Sequence, residues 1–214
     1  MTPDDVADRI AARYPTRFLR TYVRLKVRHD PVYDAVFERI GTTEDPLLDV
    51  GCGVGVLAAY LRARGFNAPI RGIDHDERKV TIARSVVPEV AFGVEDARTA
   101  IDDGGTVVLL DLLHYFRADD QARILASAAT HATTVIVRDA IRDGSWRYRL
   151  TYAQEAFSRA VRWLRAERLH FPRRDDVLRP FANFHAEVVP LRGQTPFNNY
   201  LFVFRRSMPG ITNE

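Results

Sequence analysis

Residues 47–61, LLDVGCGVGVLAAYL, constrain this chain more than any other stretch. A short apolar run enters three glycines spaced two apart, Gly51, Gly53 and Gly55, and an apolar helical pattern follows at once. Glycine adopts positive φ without steric cost and lets a ligand approach the backbone closely. The segment therefore reads as a strand that turns sharply into a helix, with a binding loop at the turn.

The rest of the chain supplies a sheet for that strand. Further short apolar runs lie at 70–74 (IRGID), 90–94 (VAFGV), 106–113 (TVVLLDLL) and 134–139 (TVIVRD). Helical patterns lie between them at about 54–64, 76–85, 97–102 and 118–131. Near-continuous apolar strands separated by helices imply a parallel sheet covered on both faces, a doubly wound α/β domain. After Arg142 the alternation stops. An arginine- and aromatic-rich helical stretch at about 145–168 leads to a shorter one at about 174–181. Two strands, 186–191 and 198–206, then form a hairpin through a turn at 193–196 and close one sheet edge antiparallel.

The first forty residues read as three helices. Thr2 caps the first, with Pro3 at its first position and Val6, Ile10 and Tyr14 on one face. Thr16 starts the second, which carries Phe18, Leu19, Tyr22, Val23 and Val27. Asp30 and Pro31 start the third, with Val32, Val36, Phe37 and Ile40 inside and Gly41 at its end. The expected organisation is one domain: a helical cap over 1–44, a binding core over 45–142, and substrate-side helices with a closing hairpin over 143–214. No acid falls between Asp8 and Asp30, whereas Arg9, Arg13, Arg17, Arg20, Arg24, Lys26 and Arg28 do. This run is either a solvated face or a contact for an anionic substrate, nucleic acid or membrane surface.

Composition removes several classes. Cys52 is the only cysteine, so an intrachain disulfide and a four-cysteine zinc site are excluded. The N-terminus carries acids where a signal peptide would be positive, and no run reaches the roughly 18 apolar residues of a membrane span. A cytoplasmic location is the expectation. Lys26 and Lys79 are the only lysines among the 31 basic residues, a bias of the kind a GC-rich genome produces.

Two similar loops must be separated. A dinucleotide loop needs G-x-G-x-x-G/A so that a pyrophosphate sits at the helix N-terminus, but the third position here is Val56. A P-loop lysine is also missing from the sequence. With Asp49 included, the run DVGCGVG instead resembles the first motif of class I S-adenosylmethionine-dependent methyltransferases, (D/E)-x-G-x-G-x-G. The acid makes chemical sense, because that cofactor carries a sulfonium and an ammonium rather than a phosphate.

The resemblance continues in register over about 45–142. Asp74, followed by His75, ends the second strand where a carboxylate takes the ribose hydroxyls. Glu95–Asp96–Ala97 resembles the motif whose acid accepts from the adenine amino group, with Asp96 the better match. Asp111, Leu112, His114 and Tyr115 resemble the fourth motif, at the methionine end and the transferred methyl. The implied cofactor set is Asp49, Gly51, Cys52, Gly53, Gly55, Asp74, His75, Asp96, Ala97, Asp111 and Leu112. The implied fold is a Rossmann-like, seven-stranded sheet of order 3-2-1-4-5-7-6 with the last strand antiparallel. The product would be S-adenosylhomocysteine.

On this reading a methyl group moves by in-line displacement, for which orientation supplies about 7–11 kcal/mol. A base is needed only if the nucleophile must lose a proton. His114 is then a base or substrate contact, or else a cap and packing residue, and Tyr115 is a wall of the pocket. His29, Tyr22 and Trp146 are expected substrate contacts, with core packing the competing reading for each. Asp111 and Asp139 echo a metal-dependent subgroup, but Ala140 stands where its asparagine would be, so no metal is expected. The fourth motif lacks (D/N)-P-P-(Y/F), and the lone cysteine sits in the loop. Both absences favour a small-molecule acceptor, such as a hydroxyl of an aromatic or lipid-like metabolite, for a monomer or homodimer. Two alternatives stay open. One is an RNA or protein methyltransferase using arginines 159, 162, 165, 168, 173 and 174; the other is a non-catalytic cofactor-binding partner subunit.

Overall fold

The computed structural model describes residues 3–41, 44–102, 104–160, 169–191 and 197–207, without the side chains of residue 3 and of 154–160. Thr2, the arginines at 162, 165 and 168, the side chain of residue 159 and the turn at 193–196 lie outside the described residues.

Three helices come first: α1 (Pro3–Ala12), α2 (Arg17–His29) and α3 (Val32–Ile40). Thr16 caps α2 by accepting from the Leu19 amide at 3.2 Å, and Asp30 accepts from the Val32 amide at 3.1 Å to start α3. Gly41 ends α3 at φ 60°. The alternating part then runs β1 (Leu47–Val50), α4 (Val56–Ala63), β2 (Ile70–Asp74), α5 (Glu77–Val86), β3 (Ala91–Val94), β4 (Thr106–Leu110), α6 (Ala118–His131) and β5 (Thr134–Ala140). After it come α7 (Trp146–Ala160), α8 (Arg174–Leu178), β6 (Phe184–Pro190) and β7 (Asn199–Arg206). The sheet has seven strands in the order β3-β2-β1-β4-β5-β7-β6, with β7 antiparallel to β5 and β6 and the other pairs parallel.

Strand alternation divides the core in two. Val108, Ile136, Leu201 and Val203 pack with the cap helices, α4 and α5, whereas Val107, Leu109, Val135, Val137, Phe202 and Phe204 pack with α6 and the α8 segment. Each central strand is therefore apolar on both sides, as its unbroken apolar run requires.

Two expectations are corrected. Residues 97–102 form only a turn, in which the Thr99 and Ala100 amides donate to Asp96 O at 3.0 and 3.1 Å. Six residues barely repay helix nucleation. The fourth strand stops at Leu110 rather than 113, because Asp111 takes φ 54° and Leu113–Tyr115 wind into a 3₁₀ turn.

Candidate functional site

A cleft of about 570 Å³ opens over the carboxyl ends of β1, β2 and β4 and is roofed by α2 and α3. Beyond β1 the strand order switches from β2 on one side to β4 on the other, and such a switch point leaves a crevice outside the sheet.

The glycine turn forms its floor. Gly51, Gly53 and Gly55 all have positive φ, at 80°, 55° and 78°. Their side-chain space differs. A Cβ on Gly51 would meet Leu112 Cδ1 at 2.7 Å, and one on Gly55 would meet Ala83 Cβ at 3.0 Å, but a Cβ on Gly53 would meet nothing within 4 Å. Gly55 is thus required by packing as well as by φ, Gly51 is required by φ and crowds only the movable tip of Leu112, and Gly53 borders open cleft. The Gly51 and Cys52 amides donate to Ile73 O at 2.8 and 2.9 Å, which ties the turn to β2.

Two carboxylates lie against this turn. Asp74 accepts from the Gly53 amide at 3.0 Å through Oδ2 and from the Asp76 amide at 2.9 Å through Oδ1. Asp49 is 3% exposed, and its Oδ2 is buried without a hydrogen-bond partner among the described residues. Burial first, and then the neighbouring Asp74, push the Asp49 carboxyl up to about 7. Burial and the same two acids also push the Cys52 thiol up, so it is no nucleophile at neutral pH. The floor therefore favours a cationic ligand.

The β4 side is built by charge pairing between the sheet and the cap. Arg138 on β5, which is buried, bonds Asp111 with one guanidinium nitrogen and Asp30 with the other. Lys26 Nζ lies 3.3 Å from Asp111 and 3.6 Å from Asp30. Burial opposes the charge on Asp111, but Arg138 and Lys26 outweigh it and hold the carboxyl well below its ordinary range. Just beyond, His114 Nδ1 lies 2.7 Å from Asp139 Oδ1, and its ring stacks on Phe171 at 5.1 Å and meets Tyr115 at 4.0 Å.

Most of the residues singled out by sequence converge here. Asp49, Gly51, Cys52, Gly53, Asp74, His75, Asp111, Leu112, Tyr22 and Tyr115 line the cleft. Gly55 stands one step behind it as the N-cap of α4. His114 is 3% exposed and stands behind Tyr115, not in the lining. Asp96 and Ala97 also lie outside the lining, and Asp96 is bound by the Arg98 side chain at 2.9 Å. His29 is exposed at the end of α2, and Trp146 is 62% exposed on α7; neither reaches the cleft. Sequence reasoning passed over Phe18, Lys26 and Lys79, which do line the cleft. The signal available for the last two was their identity as lysines in a chain that otherwise uses arginine.

Several cations of the basic run of α1 and α2 are engaged in intramolecular surface pairs and carbonyl contacts. Arg24 bonds Asp8 at 2.5 Å, Arg28 bonds Asp4 at 2.7 Å, and Arg9 and Arg20 donate to Ala63 O and Tyr14 O. Among the described residues no three His, Cys, Asp or Glu side chains gather as a metal site, and no helix is long and apolar enough to cross a membrane.

Residues 47–134 match a family described as a methyltransferase domain. No curated protein matches the chain by sequence. Among solved structures, magnesium protoporphyrin IX methyltransferase from Synechocystis PCC 6803 with bound S-adenosylhomocysteine is similar at TM-score 0.67 and 17% identity, covering 95% of this chain and 93% of that one. The pyocyanin biosynthetic protein PhzM is similar at TM-score 0.66 and 18% identity, covering 93% and 61%. A [4+2]-cyclase, SpnF, is similar at TM-score 0.61 and 16% identity, covering 84% and 82%. At these identities the likeness is one of fold.

Proposed function

We propose that this chain is a class I S-adenosylmethionine-dependent methyltransferase acting on a small-molecule acceptor, a reading supported by the methyltransferase-domain match over residues 47–134 and by the fold. The cofactor and the acceptor share the cleft under α2 and α3. The observation that carries the reading is the floor: a buried, unpartnered Asp49 oxygen beside Asp74, over a turn whose middle glycine faces open space. Those residues fit a cationic cofactor. When bound, S-adenosylmethionine supplies a methyl group already activated by its sulfonium leaving group.

This chain's residues then have four tasks. Asp49 receives positive charge, and Asp74 with His75 holds the ribose side. Gly51, Cys52 and Gly53 give the close backbone approach, and Asp111 with Leu112 forms the wall toward β4. Asp96 joins them only if it exchanges Arg98 for the adenine edge. Phe18, Tyr22 and Tyr115 supply an apolar, aromatic rim that excludes water and suits an aromatic or lipid-like acceptor. His114 is buried and does not line the cleft, which favours a positioning role for it, while its contact with Asp139 orients the ring and suits either role.

Intramolecular pairing of the α1–α2 arginines supports a small molecule over RNA or a protein tail. The fold alone does not fix the reaction, since a cyclase shares it. Calorimetry with S-adenosylmethionine and S-adenosylhomocysteine tests the cofactor site. Both should bind the wild type, and Asp74→Ala should weaken each at least about tenfold by removing a charge-assisted bond. Binding of neither to the wild type overturns the reading. Tight binding with no labelled methyl passed to any acceptor would instead favour a non-catalytic subunit.

A further inference from the structure

Resting on that reading, we infer that Lys26 is a specificity-determining residue that binds the acceptor's oxygen as an anion, a phenolate or similar oxyanion, at the β4 side of the cleft. The first observation is redundancy. Arg138 already joins Asp30 to Asp111 from beneath, with one nitrogen to each, so the cap is tied to the sheet without Lys26. Lys26 touches the same two carboxylates from the open side, where it lines the cleft and keeps 30% of its side chain exposed. An ammonium has three donors, and two carboxylates leave one for a ligand.

The second observation is chemical choice. Of 31 lysine and arginine residues only Lys26 and Lys79 are lysines, and both line this cleft. A guanidinium presents a wide planar fork, whereas an ammonium is a compact charge that can end on a single oxygen. Sheet order separates the two lysines. Lys79 follows β2, on the side of Asp74, and Lys26 is bound to the end of β4, across β1. The groups facing Lys26 are Asp111, Asp30, Tyr22, Tyr33 and Arg138. Burial alone would lower its basicity, but the Asp111 carboxylate outweighs that and keeps it charged throughout the physiological range.

Third, the remaining donor of Lys26 is charged, so an anionic oxygen gains more from it than a neutral one does, and it lies on the β4 side of the cleft, across β1 from Asp74. An ionisable oxygen gains the nearby ammonium at short range inside a water-poor cleft rimmed by Phe18, Tyr22 and Tyr115. Such an acceptor releases its proton to solvent as it binds. Its oxygen lone pair is then free to form the new carbon–oxygen bond as the carbon–sulfur bond breaks. No side chain has to remove a proton, in keeping with the buried position of His114 outside the cleft lining.

The probe is 4-nitrophenol, whose phenolate is coloured, with 4-nitroanisole as its neutral counterpart. With S-adenosylhomocysteine bound to the wild type, 4-nitrophenol should bind at least about tenfold tighter than 4-nitroanisole above its own pKa, and its bound pKa should fall by about one unit. Lys26→Met should abolish the pKa shift while still binding S-adenosylhomocysteine, which also shows that the variant is folded. Equal binding of the two probes by the wild type, binding of neither, or a shift that survives in Lys26→Met overturns the inference. Failure of the wild type to bind S-adenosylhomocysteine would instead overturn the methyltransferase reading beneath it.

Discussion

The Tyr14 hydroxyl donates to the backbone carbonyl of Val54 at 3.2 Å, so the end of the first helical hairpin holds the glycine turn from above. Tyr14 is fully buried, and burial together with Tyr22 raises its phenol far above the physiological range, so the donor stays protonated. Tyr14→Phe keeps the ring and deletes the bond. It should cost about 1–2 kcal/mol in chemical denaturation, since a largely buried carbonyl loses its partner. Amide exchange at residues 53–55 should accelerate more than exchange in β5.

Asp49 predicts a pH-dependent cofactor affinity. In the free protein its carboxyl is pushed up to about 7 by burial and by Asp74. Below that pH a cationic ligand must displace a proton. Affinity for S-adenosylmethionine should therefore fall about tenfold per unit of acid and be flat above it. Stability runs the opposite way. The raised folded pKa favours the fold below the unfolded value of about 4, and this contribution is lost as pH rises through about 7. Calorimetry from pH 5 to pH 9 checks the first trend, and Asp49→Asn should flatten both.

Gly51 and Gly53 should fail differently when changed to alanine. Gly51→Ala strains a positive-φ backbone and pushes the tip of Leu112 aside, so unfolding should become easier by about 1–3 kcal/mol. Gly53→Ala has φ 55° and open space, so its strain is only about 1 kcal/mol. Its methyl stands on the cleft side, and the loss should appear mainly as cofactor affinity. Thermal denaturation beside calorimetry separates the two.

His114 and Asp139 form a buried pair whose members also hold backbone. Asp139 accepts the Ala140 amide at 2.8 Å and the His114 amide at 3.3 Å, besides the imidazole. Asp139→Ala should cost about 3–5 kcal/mol, the usual penalty for breaking a buried pair. With a positioning role for His114, His114→Ala should change the aromatic rim through Tyr115. It should raise the KM of the acceptor more than it lowers kcat. A pure kcat loss with an altered pH profile would mark His114 as a base instead.

Much of the architecture was legible because periodicity is a local property. Short, near-continuous apolar runs such as 47–50 and 134–139, alternating with helical patterns, read as strands covered on both faces, and the glycine turn names the strand that carries the loop. The 97–102 segment was misread because a pattern of six residues carries too little information to separate a turn from a helix. Asp49 and Asp74 were found because a strand end followed by a turn marks them in one dimension. Lys26 was not, because its one local mark, a lysine among arginines, says nothing of the carboxylates it meets in space.

That last difference returns to the glycine turn. The sequence by itself determined the strand, turn and helix at LLDVGCGVG and the cationic ligand its acids favour, since spacing and residue type suffice for both, while the strand order was what the family resemblance implied. Only the tertiary structure decided that Asp30, Asp111 and Arg138, up to 108 residues apart, meet beneath Lys26. Electrostatic partnership depends on distance in space, and the cap is folded over the sheet by contacts that no stretch of chain contains alone.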